Sequence, residues 1–369
     1  MAQGKKDPVQ ILQDKFYGCI AGVHIGSAMG AAVEGWTWQK IEAEHGLVDR
    51  FLPYEHYNNG WLREPGTTED GVERQKHMIT AIIEKQDRVT AEDVRAIWCR
   101  DIADTAPGTV SEPFEGRLLA MAKSGIPAAD LGRYCDYAGL NSFARSCHPI
   151  ALINAGDPQH AMEDVLAVGQ LYQTDQSRGL KWASVTGVAV AAAIRPNATV
   201  DSVIGTIFDL CDPDIVNAEL ERGLEQTRGC TDIRELRSVF DGLYSGIGMP
   251  YAFSFANEVV TKAVCAFRMV GGDTKQGIIA GVNMGRDTDC VAAVTAGICG
   301  ALMGTASLPE EWIRQLDHAT EVNPYTAVRK TMKEQADSLF KAYESRLMRQ
   351  KLLADTMLGA STRPGEGGL

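Results

Sequence analysis

Gly18, Gly22, Gly26 and Gly30 recur at every fourth residue, with Ala21, Ala28, Ala31 and Ala32 among them. Residues four apart share one face of an α-helix, so this spacing draws a bare stripe down a helix and requires a neighbour packed at close range. Near the other end of the chain, Val291 to Met303 carries Ala293, Ala296, Gly297, Gly300 and Ala301, a second small-sided helix with the same requirement. A phosphate-cradling role for the glycines is the weaker reading. The segment lacks G-x-G-x-x-G after a strand, and the chain has no G-x-x-x-x-G-K-S/T.

Helical periodicity dominates the rest of the chain and few segments alternate like strands. Further helices are expected in Met78 to Ile83, Ala91 to Ile102 after the cap Thr90, Ala161 to Tyr172 after Asp157-Pro158, Trp182 to Ile194, Val200 to Leu210, Phe255 to Met269, Thr274 to Val282, Cys290 to Met303 and Thr326 to Met348. Short turns rich in Gly, Pro, Asn and Asp join them, which predicts an all-α fold in one domain over 14–350. Residues 1–13 read as a flexible N-terminus and 351–369 as a mobile tail. Tyr54 to Pro65, polar, aromatic and non-periodic, is the best internal candidate for a functional loop.

A formal net charge of −12 argues against nucleic-acid or anionic-membrane partners. No secretory signal and no membrane-spanning run is evident, and nine scattered cysteines without a C-x-x-C pair suit reduced thiols in a cytoplasm.

Two acidic clusters, Thr67-Thr68-Glu69-Asp70 and Asp287-Thr288-Asp289, each stand at the entry of a helix. One reading makes them helix caps, with Asp287 or Asp289 accepting the first free amides and Asp70 with Glu73 forming an approximate capping arrangement. The other makes them a metal site, because crowded carboxylates repel unless a cation lies between them, and Mg²⁺ prefers oxygen ligands. Asp287 and Asp289 converge only on a turn entering a helix, and Gly281 to Arg286 supplies such a turn.

These residues resemble the ADP-ribosylglycohydrolase family. Thr68-Glu69-Asp70 is similar to its T-D-D-T motif, and Asn283-x-Gly285-Arg286-Asp287-Thr288-Asp289 to its G-G-D-T-D-T motif. Gly22 to Glu34 resembles its opening helix, Ser142 to Leu152 its S-x-M-R-x-x-P-x-G stretch, and Leu308-Pro309-Glu310-Glu311-Trp312 its closing segment. The resemblance covers roughly residues 14 to 315. It implies a compact orthogonal helix bundle with a binuclear Mg²⁺ centre, in which one or two ions are retained here. Hydrolysis at the ribose anomeric carbon of an ADP-ribosylated protein or ribosyl small molecule is the implied reaction. Carried over by position, Thr68, Glu69, Asp70, Asp287 and Asp289 are metal ligands, Glu34 and Glu69 the acid/base candidates, and Ser142, Arg145, His148, Asn283, Gly285 and Arg286 the substrate-binding candidates.

This chain departs from the family pattern close to the site. Ser27 and Glu69 stand where Asp is usual, and Gly71 and Cys290 where Thr is usual. Cysteine sulfur is a poor ligand for magnesium, so one ion is weaker, absent or completed by water. In Gly139 to Arg145, Asn141 replaces a glycine beside the expected phosphate position, and Leu140 and Phe143 make the wall more apolar, which also suits a smaller ribosyl compound. Other roles stay open. His148 either contacts substrate or is structural; Arg145 and Arg286 either bind phosphate or neutralise the acidic residues; Tyr54, Tyr57 and Trp61 either stack on a base or pack a loop; Glu258 supports the site or only the core; Asp273 is read as a cap. The rival functions are an N-ribosidase for a free nucleoside or nucleotide and a non-catalytic ligand-binding or structural protein of this fold. The leaving group and oligomeric state are not encoded legibly.

Overall fold

The bare stripe of the first helix finds its partner in the second small-sided helix. In the computed structural model, which describes residues 7–55, 60–103, 113–135, 139–141, 143–244 and 254–358, these helices are Pro8–Gly30 and Thr288–Met303. They pack antiparallel with backbones in direct contact. A Cβ built on Gly18 would stand 2.5 Å from the Gly304 carbonyl carbon, on Gly22 2.4 Å from the Ala296 oxygen, on Gly26 2.8 Å from the Ala292 oxygen, and on Gly30 2.5 Å from the Asp289 Cα. Four independent contacts of this kind fix the register, since a shift of one residue would drive side chains into backbone. At the far end the Thr288 hydroxyl donates to the Gly30 carbonyl at 2.8 Å, so the second acidic cluster is anchored to the end of the glycine helix.

Other helices enclose this pair. Thr274–Val282 lies against it, and Gly281 meets Ala292 as closely as the stripe does. Arg178–Ala193 and Ala256–Met269 are buried along nearly their whole lengths, with Trp182 and Phe267 in the core. The last helix, Met332–Met357, closes the other side, where Phe340 and Tyr343 pack on Phe16 with ring centroids 5.2 and 5.3 Å apart. Among the described residues the only sheet is the two-stranded antiparallel pair Tyr54–Glu55 with Leu62–Arg63. The expected all-α fold is therefore the observed one, with 17 helices and almost no strand among the described residues.

Several boundaries differ from the sequence reading. The first helix opens at Pro8, inside the stretch expected to be flexible, because Asp7 caps it by accepting from the Val9 amide at 3.1 Å. The last helix starts at Met332 rather than Thr326, since Thr331 and Glu334 form a capping box there. Thr326 instead donates to Glu73 at 3.0 Å and accepts from Lys76 at 2.8 Å. This helix also runs on to Met357, past the expected domain end, while the tail from 359 lies outside the described residues. The reading that no run reaches membrane-span length also needs correction. Pro8–Val33 contains an 18-residue window of mean hydropathy 1.4, and 89% of that window is buried inside the protein.

Candidate metal centre

The capping interpretation of the acidic clusters makes a prediction that the structure tests. Elsewhere acidic caps behave as expected: Asp273 accepts from the Gln276 amide at 2.8 Å and Asp157 from the His160 amide at 3.2 Å. Glu69 and Asp287 occupy the N-cap positions of Asp70–Lys85 and Thr288–Met303, yet neither side chain makes a capping hydrogen bond. Their carboxylates turn instead to side chains from other segments, Glu69 to Arg63 and Tyr54 and Asp287 to Asn141.

Arg145, on the turn before the short helix His148–Ile153, joins the two clusters. Its guanidinium pairs with Asp70 through Nη2 and with Asp289 at 3.0 Å through Nη1. Gly71 gives it room, for a Cβ there would lie 2.9 Å from Arg145 Nε. The loss of the usual threonine at 71 and the position of Arg145 are thus one structural fact. Asp70 also pairs with Arg74 at 3.1 Å, one helical turn on. Glu69 is paired with Arg63 at 2.5 Å and accepts from the Tyr54 hydroxyl at 2.6 Å. Asp287 accepts from the Asn141 amide at 2.9 Å.

One oxygen of Asp287, one of Asp289 and the Thr68 hydroxyl are buried without a hydrogen-bond partner. Such groups are costly unless something absent from the polypeptide meets them. Two carboxylate oxygens and a hydroxyl are the donor types that hard cations prefer, so the residues fit a metal centre. Asp287, Asp289 and Cys290 together place one ligand atom each within 4.8 Å of the others.

Glu34 reaches the same place by another route. A short 3₁₀ turn, Ala31–Val33, ends the glycine helix. The Gly35 amide then donates to the Arg286 carbonyl at 2.8 Å, and the Arg286 amide to the Trp36 carbonyl at 2.7 Å. Gly285, at φ +77°, lies so close to the Trp38 amide that only glycine fits the turn. Burial, and then the charges of Asp289 and Asp287, hold the Glu34 carboxyl well above its ordinary range. Burial likewise raises Asp287, with Asp289 the next cause. Glu69 is pushed up to about 7, chiefly by burial against the opposing pull of Arg63.

The remaining candidates divide. Asn283 clasps the Val48 backbone with its amide, accepting at 2.9 Å and donating at 2.9 Å. Arg286 forms a two-pronged pair with Glu258 at 2.6 and 2.8 Å, and Lys262 shares that carboxylate at 2.6 Å. Glu258 therefore fixes the residue preceding Asp287. His148 is fully buried against Gly297, and burial lowers its imidazole to about 3. Trp61 packs edge-on against Tyr325 at 4.7 Å, and Tyr54 serves Glu69 rather than open space. Ser142 and Tyr57 lie outside the described residues. Sequence reasoning missed Arg63, Arg74 and the amide role of Asn141. Of these only Arg74 left a local signal, its spacing of four from Asp70.

Comparison with known proteins identifies the family. The profile of the family described as ADP-ribosylglycohydrolase matches residues 8–347. The chain is 25% identical over 329 residues to the uncharacterized protein YegU of Escherichia coli (strain K12), covering 84% of this chain and 94% of that one. It is 23% identical over 315 residues to the ADP-ribosyl-[dinitrogen reductase] glycohydrolase of Rhodospirillum rubrum, covering 84% and 92%. A solved structure titled ADP-ribosylglycohydrolase-related protein complex shares the fold, with a TM-score of 0.62 at 17% identity over 91% of this chain and 99% of that one. Members of the family are metal-dependent glycosyl hydrolases. With its profile matched over residues 8–347, nearly the whole length, the chain belongs to the ADP-ribosylglycohydrolase family.

Proposed function

We propose that this chain is a Mg²⁺-dependent hydrolase that cleaves the glycosidic bond at the ribose anomeric carbon of an ADP-ribosylated protein or related ribosyl compound. The observation that carries the reading is the set of buried oxygens on Thr68, Asp287 and Asp289 left without hydrogen bonds where the two clusters meet. Thr68, Glu69, Asp70, Asp287 and Asp289 would hold one or two ions. When bound, magnesium supplies orientation of ribose hydroxyls and a lowered pKa for an attending water.

The protein's own groups account for proton movement and charge. Glu34, whose carboxyl is held well above its ordinary range by burial and then by Asp289 and Asp287, is the proton donor in this reading. In this reading it protonates the leaving group as the bond to the anomeric carbon breaks. Glu69, at about 7, is balanced between acid and base, and either ligates metal or takes the proton of the attacking water. The carboxylates of Asp287 and Asp289 supply negative charge against the oxocarbenium-like state. Nine free cysteines suit a reducing, cytoplasmic setting.

A smaller ribosyl substrate, processed by an N-ribosidase, is favoured by one observation. The Asn141 backbone amide is committed to the Ser254 carbonyl at 3.0 Å and its side chain to Asp287, leaving that amide unable to receive a phosphate. The test is release of free ADP-ribose from ADP-ribosylated arginine and serine peptides, run beside nucleosides, with Mg²⁺ or with chelator. The proposal expects metal-dependent release that collapses in Glu34→Gln; turnover surviving both chelation and that substitution would refute it.

A further inference from the structure

Cys290 brings a different chemistry to the centre. Its Sγ stands 3.5 Å from Asp289 Oδ2, and it belongs to the one group of three close His, Cys, Asp or Glu ligand atoms found among the described residues. All three residues, Asp287, Asp289 and Cys290, are at most 2% exposed. Asp287 and Asp289 each present a buried oxygen that no protein group satisfies, which marks this face for a ligand independently of the sulfur. Glu69 is paired with Arg63, Asp70 with Arg74 and Arg145, and Asp289 with Arg145 through Oδ2. The carboxylate oxygens left without a hydrogen bond, Oδ1 of Asp287 and Oδ1 of Asp289, are on the sulfur-bearing side, while the unpartnered Thr68 hydroxyl is on the other. A hard ion gains nothing from sulfur, whereas a mixed oxygen and thiolate set suits borderline and soft divalent ions.

We infer that Asp287, Asp289 and Cys290 form a thiolate-containing subsite that takes a thiophilic divalent cation, of the Zn²⁺, Co²⁺ or Cd²⁺ type, in preference to Mg²⁺. As the metal–sulfur bond forms, the sulfur loses its proton to solvent, and no oxidation state changes. The inference rests on the metal-centre reading above and adds the identity of one ion to it.

The experiment is a titration of the metal-free full-length chain with Co²⁺, followed by near-ultraviolet absorption, beside thermal-shift titrations with Cd²⁺ and Mg²⁺. The expected result is a sulfur-to-cobalt charge-transfer band that saturates at one ion per chain and is lost in Cys290→Ser. That substitution should weaken Cd²⁺ binding by about a hundredfold and leave Mg²⁺ binding within about twofold. Co²⁺ binding without the band in the wild-type chain, which needs no variant to fold, would overturn the thiolate inference while leaving a metal centre in place. Tighter Mg²⁺ than Cd²⁺ binding by the wild-type chain would overturn it too. Absence of binding by any of the three ions would remove both the inference and the reading beneath it.

Discussion

The two acidic clusters are built from similar residues and treated very differently by the protein around them. In the first, Glu69 faces Arg63 at 2.5 Å and Asp70 faces both Arg74 and Arg145. In the second, Asp287 has a neutral amide from Asn141, and Asp289 shares Arg145 with the first cluster and touches a thiol. Protein cations thus balance the first cluster, while the second keeps buried carboxylate oxygens without partners. The second should dominate metal affinity, and the first should set where the ion and substrate lie once bound.

The largest expected effect tests that ranking directly. Asp289→Asn should lower kcat/KM on the order of a thousandfold or more and abolish saturable metal binding, as judged by calorimetry. Asp70→Asn should cost less in affinity, because Arg74 and Arg145 already meet its charge; equal losses from the two would break the comparison. Glu34→Gln separates chemistry from binding. It should lower kcat by about a hundredfold or more with little change in metal affinity, since its role is proton transfer. A merely structural Glu34 would instead move affinity and kcat together.

Gly30→Ala acts on the distance between the clusters. Glycine to alanine in a helix usually stabilises by up to about 1 kcal/mol. Here the new Cβ meets Asp289 and Thr288 backbone atoms at 2.5 to 2.7 Å, so a loss of about 1–3 kcal/mol is expected in denaturant unfolding, along with weaker metal binding. The smallest effect is a pH dependence. Glu69 has its folded pKa raised to about 7, above the unfolded value, so its contribution to metal-free stability is full at low pH and fades as pH rises through 7. Metal binding needs the same proton removed, so affinity should rise between pH 6 and 8, by at most about tenfold per pH unit. Parallel slopes for metal-free stability and metal affinity would contradict the assignment of Glu69 to the centre.

Much of the helical body was legible because it follows from local rules. Val200 to Leu210 and Thr274 to Val282 have the bounds expected of them, and each begins directly after its cap, Thr199 and Asp273. The glycine stripe announced a close neighbour, though not which one, because pairing across more than two hundred and fifty residues leaves no local trace. The acidic motifs named the ligand candidates through resemblance, while the clusters taken alone favoured helix caps. The counterions were the least legible part. Arg145 and Asn141 meet carboxylates far away in the sequence, Arg63 meets Glu69 six residues on outside any helical spacing, and Asn283 and Arg286, motif neighbours expected at the substrate, are spent on Val48 and Glu258. Their types suit either task, and only the folded geometry decides between them.

The central claim is that the two clusters form a single cation centre whose stronger half is Asp287 and Asp289. Diffraction from crystals soaked in Mn²⁺, with anomalous maps to locate the ion, tests it most directly. The account predicts an anomalous peak coordinated by Asp287 and Asp289 and reaching Asp70. A saturating soak that showed no peak there, with Arg145 still bridging Asp70 and Asp289, would contradict it.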